Sequence, residues 1–93
     1  MARWEDAAIA LHEALAIRPD DPALTSRLVE VYRRLDADGS AGRGRLDLND
    51  PVVRRHRCAA HRELTELYAQ AGAVEASADV RRRAAAICTD PAP

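Results

Sequence analysis

Ninety-three residues make one small domain, and a formal net charge of −1 excludes a global electrostatic pull toward nucleic acid or a membrane surface. With one Trp, two Tyr and no Phe, the core must be aliphatic and alanine-rich, which suits close helix packing. No apolar run approaches the ~20 residues of a membrane helix and the N-terminus lacks a signal-peptide pattern, so a cytoplasmic protein without a membrane association is expected.

The first helix is expected over residues 3–18. Trp4, Ala8, Leu11 and Leu15 follow steps of four, three and four, one stripe of a helical period, which Ala7, Ala14 and Ile17 widen. Arg3, Glu5, Asp6, His12, Glu13 and Arg18 are assigned to the polar face, where His12 is expected to be exposed. Pro19 ends the helix because the residue before a proline avoids the α region.

Asp21 then caps a second helix over 22–35, with Pro22 at the first position, where a missing N–H costs nothing. Leu24, Leu28, Val31 and Leu35 form its stripe with Tyr32 beside it, and Arg33 and Arg34 suit the C-terminal end of the helix dipole.

The run Trp4-x-x-Ala7-x-x-x-Leu11-x-x-Ala14-Leu15-x-Ile17-x-Pro19 resembles the second helix of a tetratricopeptide repeat, and Leu28-x-x-x-Tyr32 resembles the first helix of the following repeat. The resemblance covers residues 4–35 and, with more departures, 61–88. It implies a helical repeat fold and a scaffolding role within a larger complex.

Residues 36–50, DADGSAGRGRLDLND, carry three glycines and no helical stripe, and are expected to be a loop with Leu46 and Leu48 tucked onto the core. Asp36, Asp38 and Ser40 are spaced as in a calcium loop, but the required glycine and distal Glu are missing, and a solvated linker is favoured.

A third helix is expected over 51–71. Asp50-Pro51 repeats the opening of the second, and Val53, Ala60, Leu64, Leu67 and Ala71 form its stripe, with His56 or Arg57 filling the gap. Leu64-Thr-Glu-Leu-Tyr68 echoes Leu28-Val-Glu-Val-Tyr32 at a separation of 36 residues. Gly72 is expected as a left-handed cap. A fourth helix over 73–88 then carries Ala73, Ser77, Val80, Ala84 and Ile87 on its stripe, and the tail 89–93 is expected to fray. In the fourth helix Arg81 stands where the tetratricopeptide pattern has a bulky apolar residue, and Ser77 where it has Ala. The expected architecture is an all-α, four-helix antiparallel bundle of tetratricopeptide-like helices, with the glycine-rich loop in place of one repeat helix.

Arg54, Arg55, His56 and Arg57, with Arg62 after them, place positive charge at a helix N-terminus, which opposes the macrodipole. A locally unfavourable choice can mark an anion-binding surface. Neutralisation by Asp36, Asp38, Asp47 and Asp50 is favoured over it, and nucleic acid is disfavoured because no aromatic interleaves the arginines. Arg81, Arg82 and Arg83 spread around a helix and are expected to be solvated.

Cys58 and Cys88 are too few for a disulfide framework and are expected to be buried thiols in a reducing compartment. With His61 they form the only plausible metal set, short of the ligands zinc takes, so no metal or cofactor is expected. The two cysteines lie about equally far from the Gly72 turn, so a hairpin would also allow a disulfide between them on oxidation.

No residue pattern suggests an enzyme. A non-catalytic protein–protein interaction adaptor, or small accessory subunit of a larger complex, is expected to bind another protein chain or a second copy of itself. The candidate contacts are Trp4, Leu11, Tyr32, Arg57, Tyr68 and Arg81, and the open Trp4 end of the first helix is expected to be covered by another chain. The alternative is a small anion-binding or regulatory module using Arg54, Arg55, Arg57 and Arg62.

Overall fold

The computed structural model describes residues 3–38 and 46–88. Four helices account for most of them: α1 (Arg3–Ile17), α2 (Pro22–Asp38), α3 (Pro51–Gln70) and α4 (Val74–Cys88), with no strand among the described residues. The fold is all-helical.

Helix boundaries follow local hydrogen bonding. Asp21 Oδ1 accepts from the Ala23 and Leu24 N–H groups at 2.9 and 3.4 Å, and Asp50 Oδ1 accepts from the Val52 N–H at 2.8 Å. Each cap precedes a proline at the first helical position and satisfies N–H groups the helix itself leaves unpaired. At the other end of α3, Gly72 adopts φ 78°. The Ala73 N–H donates to Tyr68 O at 2.9 Å and the Gly72 N–H to Ala69 O at 3.1 Å, the paired bonds of a Schellman turn.

α2 continues through Asp38, three residues beyond the expected end at Leu35. The extra turn carries Asp36, whose carboxylate is held by His61 of α3 and Arg83 of α4. The glycines of the expected loop lie at 39–45, outside the described residues, as does Ser40 of the calcium-like spacing. Leu46, just beyond them, is buried, and its N–H donates to the Glu5 carboxylate at 3.2 Å; Leu48 packs beside it, half-buried.

Within α1 the buried residues are Glu5, Ala8, His12 and Leu15, at steps of three, four and three. His12 lies four residues after Ala8 and three before Leu15, which places it inside the stripe. It is therefore 4 % exposed, which corrects its assignment to the polar face. Ile17 is 82 % exposed; at 100° per residue it stands nearly opposite Ala8 and Leu15 and does not widen the stripe. Trp4 and Leu11 flank the stripe, half-buried.

The core joins Ala8 and Leu15 to Leu28, Val31, Tyr32 and Leu35 of α2, Ala60 and Leu64 of α3, and Val80 of α4. Burying a leucine such as Leu28 contributes roughly 2 kcal/mol. α1 packs on α2 and α3, and α2 packs on α3, whereas the α4 backbone approaches α3 alone. The helices thus do not close into a ring. One face of α4 is covered by α3, and the edges between the two form clefts.

Candidate functional site

Two polar features lie on this frame, one inside and one at the surface. The inner one is a set of buried polar groups. His12 Nε2 and the Tyr32 hydroxyl are 2.7 Å apart, and no hydrogen-bond partner meets His12 Nδ1 among the described residues. The Arg57 guanidinium stands 5.8 Å over the Tyr32 ring. His61, 0 % exposed, meets Asp36 Oδ2 through Nε2 at 2.8 Å and the Arg57 carbonyl through Nδ1 at 2.9 Å. The Thr65 hydroxyl donates to the His61 carbonyl and the Ser77 hydroxyl to the Thr65 carbonyl, which extends the set to α4.

Burial sets the protonation of these groups. Desolvation, with repulsion from His56 and Arg57, pushes His12 down to about 4, so it is neutral at physiological pH. Desolvation and neighbouring Arg55 also lower His56. Burial raises the Tyr32 phenol above its ordinary range. Asp36 resists desolvation because the His61 bond and the Arg83 and Arg57 charges hold its carboxyl below its ordinary value. These groups link α1 to α2 and α2 to α3.

The surface feature lies along α3 and α4. A cleft of about 850 Å³ is lined by Asn49, Pro51, Val52, Arg54, Arg55, Cys58, Ala59, Arg62, Ile87 and Cys88. A second, of about 480 Å³, shares Arg62 and Cys88 and adds Arg81, Ala84 and Ala85, with Glu63 and Glu66 on its wall. Between the two lies a disulfide joining Cys58 to Cys88, with Cα atoms 5.1 Å apart.

That bond replaces the expected free thiols, and the expectation of a reducing, cytoplasmic setting loses the support it drew from them. It also removes both cysteines from the candidate metal set, and His61 is turned away onto Asp36. Among the described residues no group of three potential ligands could hold a metal ion.

The expected neutralisers make no ion pair with Arg54, Arg55 or Arg62 among the described residues. Asp36 holds His61 and Arg83, Asp47 accepts from the Asn49 N–H, and Asp50 caps α3; the Asp38 side chain lies outside the described residues. Arg33 and Arg34 pair with Glu30, and Arg82 and Arg83 with Asp79. Arg54, Arg55, Arg62 and Arg81 form no ion pair among the described residues. Arg57, grouped with them in the sequence, turns inward instead: its Nε is buried with no hydrogen-bond partner among the described residues.

The residues expected to contact a partner do not share one surface. Tyr32 is 1 % exposed and belongs to the core, so it offers no contact surface in this structure. Arg57 is half-buried above it. Trp4 is half-buried with the Arg34 guanidinium 5.5 Å over its ring. Leu11 and Tyr68 are half-buried against the core, and Arg81 is exposed on the second cleft. The cleft residues were open to a spacing argument: Arg54, Arg55 and Arg62 stand four before, three before and four after Cys58, all neighbours on one helix face.

No family model matches the chain, and neither a curated protein nor a solved structure matches it.

Proposed function

We propose that this chain is a non-catalytic protein-interaction module, an adaptor or small accessory subunit, which holds an acidic segment of another protein across the α3–α4 cleft. One observation carries the proposal: among the described residues Arg54, Arg55 and Arg62 stand without ion-pair partners around Pro51, Val52, Ala59 and Ile87, and no described carboxylate lines that cleft. Guanidinium groups bind carboxylates through paired N–H donors, and apolar side chains of the same segment would cover those apolar residues. The tetratricopeptide-like runs of the sequence support the same class, since such helices present grooves to peptides.

Fluorescence anisotropy with a labelled Glu- and Leu-containing peptide tests this, against the same peptide with Gln for Glu. The acidic peptide is expected to bind with micromolar affinity that weakens with salt. Arg55→Ala with Arg62→Ala should lower the affinity at least about tenfold, the loss of roughly 1.4 kcal/mol. Arg82→Ala, on an arginine already paired with Asp79, should change nothing. Equal binding of the Gln peptide, or none of either, would overturn the proposal. Tighter binding of a single-stranded oligonucleotide would replace it with a nucleic-acid interface.

A further inference from the structure

We propose that the Cys58–Cys88 disulfide is a thiol–disulfide exchange site for an anionic low-molecular-weight thiol. Both cysteines line the larger cleft, Cys88 also lines the smaller one, and both are half-buried, so the bond is approached from two sides. Exchange requires a thiolate to reach one sulfur while the other leaves as a thiolate. The surroundings favour both requirements. Arg54, Arg55 and Arg62 flank Cys58 on its own helix face and form no ion pair among the described residues. They concentrate a negatively charged reactant and stabilise a thiolate at Cys58.

The two sulfurs are not equivalent. Cys58 lies in the middle of α3 among arginines, whereas Cys88 is the last residue of α4, at the negative end of that helix dipole. Cys58 is the better leaving group. The incoming thiolate forms a bond to Cys88 Sγ, the Cys58–Cys88 bond breaks, and its electron pair leaves on Cys58 Sγ. A second thiol then attacks the small-molecule sulfur of the mixed disulfide and releases Cys88. The sum is one protein disulfide and two thiols giving one protein dithiol and one small disulfide. The inference uses the arginines of the proposed peptide cleft but not its occupant.

The oxidised full chain is treated with glutathione or its monoethyl ester, which has the same thiol and one negative charge less. Opening is followed by acid quench, alkylation and intact mass, and the adduct is mapped by fragmentation. Glutathione should react about tenfold faster than the ester at low ionic strength, the lower end of what a counter-charged cleft provides. The advantage should vanish in high salt and in Arg55→Ala with Arg62→Ala, whose helix content is checked by circular dichroism. The salt comparison needs no variant. The trapped adduct should sit on Cys88. Equal rates for the two thiols at low salt, an adduct on Cys58, or a disulfide opened only after denaturation would each overturn the inference. An acidic peptide that fails to bind while the thiol preference persists would remove the peptide proposal alone.

Discussion

His12 and Tyr32 meet in the core at 2.7 Å, a histidine and a phenol from α1 and α2 that have little contact with solvent. Whichever of the two donates, only one nitrogen of the imidazole is satisfied, because Nδ1 has no partner among the described residues. Tyr32→Phe keeps the ring and removes the bond, leaving His12 with neither nitrogen paired. A loss of about 1–3 kcal/mol follows from stranding a buried polar group, to be read from urea unfolding with an unchanged m-value.

Acid should destabilise the fold from well above the carboxylate range. His12 titrates at about 4 in the folded chain against 6.5 when unfolded. Above pH 6.5 both states carry it neutral and pH has no leverage through it. As pH falls from 6.5 to 4 the unfolded chain takes up the proton first, so stability drops, by about 3 kcal/mol at ~1.4 kcal/mol per pH unit. Neighbouring His56, also lowered, acts in the same direction. Asp36 is lowered too; as a carboxylate it contributes stability above its unfolded value of 3.8, which is lost as pH falls through its folded one. Unfolding midpoints between pH 8 and 4 test this. A flat profile from 7 to 4.5 would contradict it, and His12→Gln should remove the His12 share of the slope.

Asp36→Asn should cost about 2–4 kcal/mol. The substitution removes the charge that His61 and Arg83 both face, and leaves the fully buried His61 with at most a neutral amide oxygen. Arg83→Ala, which deletes the half-exposed partner alone, should cost less than about 1 kcal/mol. Thermal melts of the two variants should separate clearly. Similar losses would mean that the His61 bond carries little of the energy.

Gly72→Ala isolates a backbone effect. Nothing lies within 4 Å of the added Cβ, so only the positive φ of 78° resists the change. A destabilisation of about 1 kcal/mol is expected, with α3 and α4 otherwise intact by circular dichroism. A loss far above that would show that the turn also closes on residues outside the described set.

Replacing both Cys58 and Cys88 by Ser should lower stability by about 3–4 kcal/mol, the loop-closure value for a separation of 30 residues. Reduction of the wild type should produce the same shift in melting temperature. A double variant as stable as the oxidised chain would mean that α4 holds its place by packing alone.

The sequence made the starts of α2 and α3 and the turn after α3 legible, because caps are local, whereas α2 runs three residues past its expected end. Asp21, Asp50 and Gly72 each act on N–H or C=O groups within a few residues. The inner network was not legible, because its partners are distant in the chain: 20 residues separate His12 from Tyr32, 25 separate Asp36 from His61, and 41 separate Glu5 from Leu46. Hydropathy places a histidine or a glutamate outside, and only a tertiary partner can reverse that. Counting the steps from Ala8 to Leu15 would have shown His12 on the buried face. The cysteine pair was half-legible: similar distances from the Gly72 turn put both at about one height, but two cysteines are too few for a disulfide framework, which favoured thiols.

α4 is pinned at both ends, by the Schellman turn at Gly72 and by the disulfide at Cys88, and between them its backbone rests on one neighbour. An element with one supporting face can open without the other three helices unfolding. While the sulfur bond is intact, such an opening can only bow α4 outward between two fixed points, and the chain there stays short and taut. Once the bond is cut, such an opening is no longer limited at Cys88, and the helix can turn about the Gly72 hinge. Its Val80, Ala84 and Ile87 face would then be presented to solvent together, so one covalent event would decide how far a quarter of the fold can swing.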